Sequence, residues 1–374
     1  MSRSLAQRPL KLGFLSPHNP FDRRAFSGTV HFAARALQAT PDVSLGILGD
    51  YAPPRPVLDR LLRRRYTADV AHIDVGGLDA VIGLVATPLL ADLAHRHPRL
   101  PFFHVTDATP EFLREAYGWH VPAEADDLER QAVSGAHATV YSSDIIANRA
   151  PTDLGLPGLS PAVIPFGVNL DALPDICPEK PPLDRLELLF VGLDWVRKGG
   201  DVVIAALDAL KADDRRAHLT VIGACPERHR NRRDVTYLGY LDKNRRRDAA
   251  RIAAAYRRAH LLLLPSRADC TPMVVSEAMA HGAPVLATDT GGLGAMIRAS
   301  GGGRLISEFA ASRDWAQAIR DVTDDADNYA FMADAGFDHV QSRASWAHWA
   351  GNLCNLVRER LNGNVHYIRD GRAA

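Results

Sequence analysis

An α/β fold made of two doubly wound, Rossmann-like domains is predicted by three observations. Short apolar runs alternate with helical patterns along the chain, the signature of parallel strands covered by helices. The alternation stops at a proline-rich stretch and then restarts. The 374 residues, 47% of them hydrophobic, are long for one domain and natural for two.

In the first half, residues 11–16 read as a strand and 28–38 as a helix. Residues 78–84 are a strand, 88–95 a helix and 100–105 a strand. A helix over 124–135, a strand over 138–141 and a last strand over 162–164 complete this domain, set at residues 1–172. Residues 173–182 carry four prolines in ten positions, which makes 173–183 a stiff extended linker. The second domain, residues 184–345, restarts with a strand at 186–191, a helix at 200–210 and a strand at 219–222. A short strand at 235–238, a long helix at 245–258 and a strand at 261–264 follow. Residues 346–361 are apolar at helical spacing, and 346–374 form a terminal helical segment.

Composition narrows the function. The formal net charge is zero, so nothing calls for nucleic acid. Cys177, Cys225, Cys270 and Cys354 are scattered and form no CxxC pair, which fits a reducing cytoplasm and argues against a zinc site. No apolar run approaches the roughly 20 residues that span a bilayer. Residues 1–16 have too short an apolar core for a signal peptide. The basic runs Arg63-Arg64-Arg65 and Arg245-Arg246-Arg247 read as solvated helix faces, with contact to an anionic membrane as the other reading.

The chemistry concentrates in residues 265–285, Pro-Ser-Arg-Ala-Asp-Cys-Thr-Pro-Met-Val-Val-Ser-Glu-Ala-Met-Ala-His-Gly-Ala-Pro-Val. Thr271 stands at a helix N-cap with Pro272 at the first helical position, and Gly282 stops the helix. A strand over 283–288 follows. Asp269 lies on the loop entering this helix, and Glu277 about two turns in. A helix N-terminus between two carboxylates suits a diphosphate flanked by sugar hydroxyls.

The segment resembles the Glu-x7-Glu motif of the retaining, GT-B-fold glycosyltransferases of family 4 (group 1), with Asp269 in place of the first Glu. The resemblance covers nearly the whole chain and is strongest in the second half. It implies a GT-B architecture: two Rossmann-like domains facing each other across a cleft, with the C-terminal helix returning to the first. The first carboxylate then lies by the donor sugar, and Glu277 binds the nucleotide ribose.

Other pieces match the same family. Residues 190–199, Phe-Val-Gly-Leu-Asp-Trp-Val-Arg-Lys-Gly, resemble its phosphate-binding turn, so Arg197 and Lys198 face the diphosphate. The family places Arg directly after the strand Gly, where Leu193 stands here. Tyr240 and Leu241 follow the strand whose end meets the base, and their backbone groups would read its edge. Gly28 and Thr29 resemble the loop that opens the family's first helix. Thr290-Gly291-Gly292 matches a turn near the ligand. Asp107, by spacing from Pro101, takes the place of a family His near the reaction centre, while His104 reads as a core histidine. Gly167 reads as a turn.

The implied function is metal-independent, front-face transfer of a sugar from a nucleotide-diphosphate sugar to an acceptor hydroxyl, of the hexosyltransferase class. Asp107, Lys198, Asp269 and Glu277 form the catalytic set. Gly28, Thr29, Arg197, Lys198, Tyr240, Leu241, Thr271, Met273, Val274 and Glu277 bind the nucleotide sugar. No cofactor and no metal ligand is expected; the acceptor is a sugar, a glycan or a lipid-linked hydroxyl. Pro272 has no N–H where many members have Gly, so one sugar contact is missing or replaced. A GT-B sugar-nucleotide epimerase and a non-catalytic nucleotide-sugar-binding protein are the alternatives. A dinucleotide oxidoreductase is disfavoured because no GxGxxG follows the first strand.

Overall fold

The computed structural model describes residues 8–54 and 70–370; Arg63-Arg64-Arg65 lies outside them. The chain divides into two compact units, residues 1–167 with 345–374, and Val168–Ala344.

The first unit runs β1 (Leu10–Leu15), α1 (Thr29–Ala39), β2 (Val43–Leu48), β3 (Ala80–Leu84), α2 (Thr87–Arg96), β4 (Phe102–Thr106), α3 (Pro110–Tyr117), α4 (Glu124–Gly135), β5 (Ala138–Tyr141), α5 (Asp144–Asp153) and β6 (Ala162–Val163). Its six strands are parallel, in the order β2-β1-β3-β4-β5-β6. The second unit runs β7 (Leu186–Gly192), α6 (Gly200–Ala212), β8 (Ala217–Gly223), α7 (Glu227–Arg230), β9 (Val235–Gly239), α8 (Arg246–Arg258), β10 (Leu261–Leu264), α9 (Met273–Met279), β11 (Val285–Thr288), α10 (Gly291–Ser300), β12 (Gly303–Ile306), α11 (Ser312–Thr323) and α12 (Ala326–Ser342). Its sheet is parallel too, ordered β12-β11-β10-β7-β8-β9. The last helix, α13 (Trp346–Asp370), belongs to the first unit.

Central strands are the ones the sequence marks best. Every residue of β3, β4, β10 and β11 is buried, because helices cover both faces of a parallel sheet. The pattern does not single out β2 and β12. Both are edge strands with alternating or partial exposure, and each contains a glycine. Residues 290–292, read as a turn, open α10 instead.

The proline-rich stretch, read as an interdomain linker, lies inside the second unit. Lys180 Nζ donates to the carbonyls of Tyr256 and Arg257 at 3.1 and 3.2 Å, and the His260 Nε2 meets Pro181 O at 2.8 Å. Prolines stiffen this segment, but these contacts tack it onto the end of α8. The passage between units falls at Gly167. That glycine has no left-handed φ and makes no turn. A Cβ there would sit 2.2 Å from the Trp346 backbone nitrogen, so its role is to let the outgoing and returning chains touch. Trp346 then stacks on Phe166 at 5.7 Å and meets Trp349 edge-on at 5.1 Å.

Among the described residues no helix is long and apolar enough to cross a membrane. None of the four cysteines is in a disulfide.

Candidate functional site

In the second sheet the chain lays β8 and β9 on one side of β7, then returns to put β10 on the other. Ligands of doubly wound sheets bind outside the strands' carboxyl ends at such a switch. The segments leaving β7 and β10 there are 193–199 and 265–272, the two sequence motifs.

Backbone geometry locks them together. Gly199 has φ +74, and a Cβ would meet Pro265 O at 2.1 Å. Only glycine supplies both the left-handed turn and that approach. The Arg267 N–H then donates to Arg197 O at 2.8 Å, and Arg197 Nη1 donates to Ala268 O at 2.8 Å. On the far side, the Gly292 N–H donates to Asp269 O at 2.9 Å.

This clasp brings Lys198 Nζ to Asp269 Oδ1 and Oδ2 at 2.8 and 2.6 Å. Arg197 Nη1 stands 3.5 Å from Oδ1, and its Nε is 3.3 Å from Asp194 Oδ2. Asp269 is buried, with two cations against it. Leu193, where the family has Arg, is exposed.

Pro272, not Thr271, is the N-cap of α9, so the helix starts one residue later than its proline suggests. Gly282, at φ +67, terminates the turn after the helix. Glu277 is only 2% exposed, and the interior of a protein does not tolerate a bare carboxylate. Lys243 Nζ meets its Oε1 at 2.6 Å, and the Tyr256 hydroxyl donates to Oε2 at 2.9 Å. Burial, with the neighbouring Glu277, pushes the Tyr256 phenol far above its ordinary range, so it stays a neutral donor. The His281 Nδ1 meets Glu277 O at 2.7 Å, and burial holds its imidazole below the usual range.

Met273 is buried, Thr271 and Val274 are half-buried, Tyr240 is exposed and Leu241 is in the core. All of these belong to the second unit, whereas Gly28, Thr29 and Asp107 belong to the first. Gly28, at φ +96, caps α1 after two left-handed residues, Phe26 and Ser27. The Thr29 N–H is donated to Phe26 O inside that turn. Asp107 is half-buried just past β4. His104 is fully buried, 3.1 Å from Thr87 Oγ1 and 3.5 Å from Glu129 Oε1. Among the described residues no three or more His, Cys, Asp or Glu side chains gather as a metal would need.

Sequence reasoning missed Lys243 and Tyr256. A signal existed: the chain has 39 arginines but five lysines, at 11, 180, 198, 211 and 243. Two of those five pair with the two motif carboxylates.

Comparisons with known proteins bear on the fold and the family. Two curated D-inositol 3-phosphate glycosyltransferases are among the similar sequences. The one from Corynebacterium aurimucosum is 30% identical over 48% of this chain and 45% of its own length. The one from Paenarthrobacter aurescens is 26% identical over 81% of this chain and 75% of its own length. The chain thus spans under half the length of the first of these relatives. Sucrose-phosphate synthase from Thermosynechococcus elongatus aligns over 95% of this chain and 100% of its own, with TM-score 0.66 and 17% identity. HepE of Anabaena, in complex with UDP, aligns over 94% and 100%, with TM-score 0.63 and 16% identity. These neighbours share the two-domain α/β fold of the GT-B class. A family model described as family 4 glycosyltransferase in conflict systems matches residues 39–353. With most of its length matched, this chain belongs to the family 4 glycosyltransferases of conflict systems.

Proposed function

We propose that the protein moves a glycosyl group from a nucleoside-diphosphate sugar to an acceptor hydroxyl, with retention at the anomeric carbon and without a metal ion. The observation that carries this is the set of buried, lysine-paired carboxylates Asp269 and Glu277 at the switch point of the second sheet. HepE, whose fold this chain shares, holds UDP, and that supports a nucleotide donor.

In this reading Glu277 accepts hydrogen bonds from the ribose hydroxyls, and Asp269 accepts them from the donor sugar. Amides of Thr271, Met273 and Val274 serve sugar and phosphate oxygens. Arg197 and Lys198 face the diphosphate. The bond from the anomeric carbon to the β-phosphate oxygen breaks, the bond to the acceptor oxygen forms on the same face, and the acceptor proton passes to the departing diphosphate. Negative charge grows on that diphosphate as the bond stretches, so a fixed ammonium stabilises the transition state more than the bound substrate. Two basic side chains supply the charge that a divalent ion supplies elsewhere. Asp107 is assigned to the acceptor hydroxyl.

The test is a donor screen with UDP-, GDP-, ADP- and dTDP-sugars in EDTA, with an acceptor mixture that includes D-inositol 3-phosphate. Wild type is compared with Glu277→Ala and Lys198→Ala. Nucleotide release from one donor, unaffected by EDTA and lost in both variants, is the expected result. Loss in EDTA overturns the metal-independent part. Interconversion of sugar-nucleotide isomers without release points to an epimerase. Binding without turnover points to a non-catalytic protein.

A further inference from the structure

We propose that Lys243 is a positioning residue for the ribose, holding Glu277 so that its carboxylate accepts both sugar hydroxyls of a ribonucleotide. This rests on the assignment of Glu277 to the ribose made above.

The geometry is specific. Lys243 sits on the loop after β9, Tyr256 on α8 and Glu277 on α9. Lys243 takes Oε1 and Tyr256 takes Oε2, so each oxygen holds one donor. An ionised carboxylate offers about four lone-pair positions. One position per oxygen then remains, which matches the two neighbouring hydroxyls of a ribose. Two donors from different elements, with His281 on the Glu277 carbonyl, also fix the direction in which those lone pairs point.

Charge makes Lys243 the decisive partner. Tyr256 is neutral and gives Glu277 no counter-charge. Removing the Lys243 cation would leave a buried carboxylate with no counter-charge, which is costly, and would free one of its oxygens to turn. Lys243 pins Oε1 from one side. The lysine side chain is itself 26% exposed, so it reaches in from solvent rather than filling the core. In a chain with 39 arginines, a lysine here also makes steric sense. A compact ammonium touches one oxygen, whereas a guanidinium fork would cover both.

The experiment measures binding by calorimetry of ADP, GDP and UDP and of their 2′-deoxy counterparts, with thermal melts of every variant. Wild type should prefer whichever ribonucleotide it binds over its deoxy form by on the order of tenfold, the value of one well-made hydrogen bond to a charged group. In Lys243→Met the ribonucleotide should weaken by a similar factor and the deoxy compound should change by less than about twofold. Lys243→Gln should behave as Lys243→Met, and Lys243→Arg, whose fork takes the positions left for the ribose, should not restore the preference; these two decide if Lys243→Met does not fold. Equal weakening of both nucleotides would overturn the proposal in favour of a general structural or phosphate role. Tighter ribonucleotide binding would overturn it in favour of a latch that the ligand must displace. A ribose preference retained in Lys243→Met sinks Lys243 alone and leaves Glu277 at the ribose. No preference even in wild type sinks the ribose assignment itself, and this proposal with it.

Discussion

Lys198 and Asp269 are 71 residues apart in the chain and meet through both carboxylate oxygens, at 2.6 and 2.8 Å. Both side chains are largely buried, at 11% and 7% exposure. Each therefore satisfies the other in the absence of a donor. Removing one partner of such a pair leaves an uncompensated charge in a low-dielectric site, which is why the consequences of substitution here combine stability with activity.

Lys198→Met should lower the rate of nucleotide release by about 10²- to 10³-fold, the usual size for one lost transition-state charge contact. The donor KM should move far less, because the diphosphate gains most of its charge during bond breaking. Steady-state kinetics with the donor found in the screen check this. An equal loss in KM with kcat intact would assign Lys198 to ground-state binding.

Gly199→Ala should destabilise the second unit by roughly 2–4 kcal/mol. Alanine is strained at φ +74, and its Cβ would collide with Pro265 O. Because the clash pushes apart the loops after β7 and β10, nucleotide affinity should fall with it. Denaturant titration and calorimetry on the same preparation read both effects. A variant with wild-type stability and binding would show that this turn is not what holds the two loops together.

How much could be read in advance follows from these two segments. The residues at 197–199 and 265–282 carry their chemistry in local spacing, and buried strands such as β10 announce themselves as unbroken leucine. What pairs with Glu277 was hidden, because Lys243 and Tyr256 lie 34 and 21 residues away and converge only through packing of α8 and its preceding loop. The edge strands β2 and β12 were hidden for another reason. Exposed positions interrupt them, Ser44 and Gly46 in β2 and Arg304 in β12, so they lack the continuous buried apolar run. The prolines at 173–182 read as a separating linker, yet the stretch falls within the second unit, since a proline-rich segment can be pinned as easily as extended.

His104 and Asp107 sit on the same stretch and should behave oppositely. The Thr87 hydroxyl has one proton and donates it to Glu129 Oε2 at 2.6 Å, so His104 Nε2 must donate to Thr87. Burial works to raise the Glu129 carboxyl, but the His104 imidazole and the bonds from His104 and Thr87 hold it below its usual range. His104→Leu would leave that buried carboxylate with the Thr87 bond alone and open a gap around it, and should cost roughly 1–3 kcal/mol. Asp107→Asn, half-buried at the end of β4, should leave the melting temperature within a few degrees and lower turnover by about ten- to a hundredfold. Melting curves and rates on both variants separate the roles. A stable His104→Leu, or a fully active Asp107→Asn, would reverse the corresponding assignment.

Lys180 gives the molecule a pH dependence that can be signed. Burial lowers its ammonium to about 7, with the nearby Cys177 acting the other way. An unfolded chain holds that proton up to about 10.4, so between these values the unfolded state binds more protons than the folded one. Stability should therefore rise with pH from about 7, by at most about 1.4 kcal/mol per unit. Cys177 acts oppositely at higher pH, because its thiol is pushed up to about 11 by burial and by Asp334, so it favours the folded state less as pH passes through 9 to 11. The clean window is pH 7 to 8.5. Denaturant unfolding across it should show the upward slope in wild type and a flatter line in Lys180→Met, which keeps the stem and removes the proton. The same slope in both proteins would mean that Lys180 stays charged where it caps the Tyr256 and Arg257 carbonyls, and that those two bonds outweigh its loss of water.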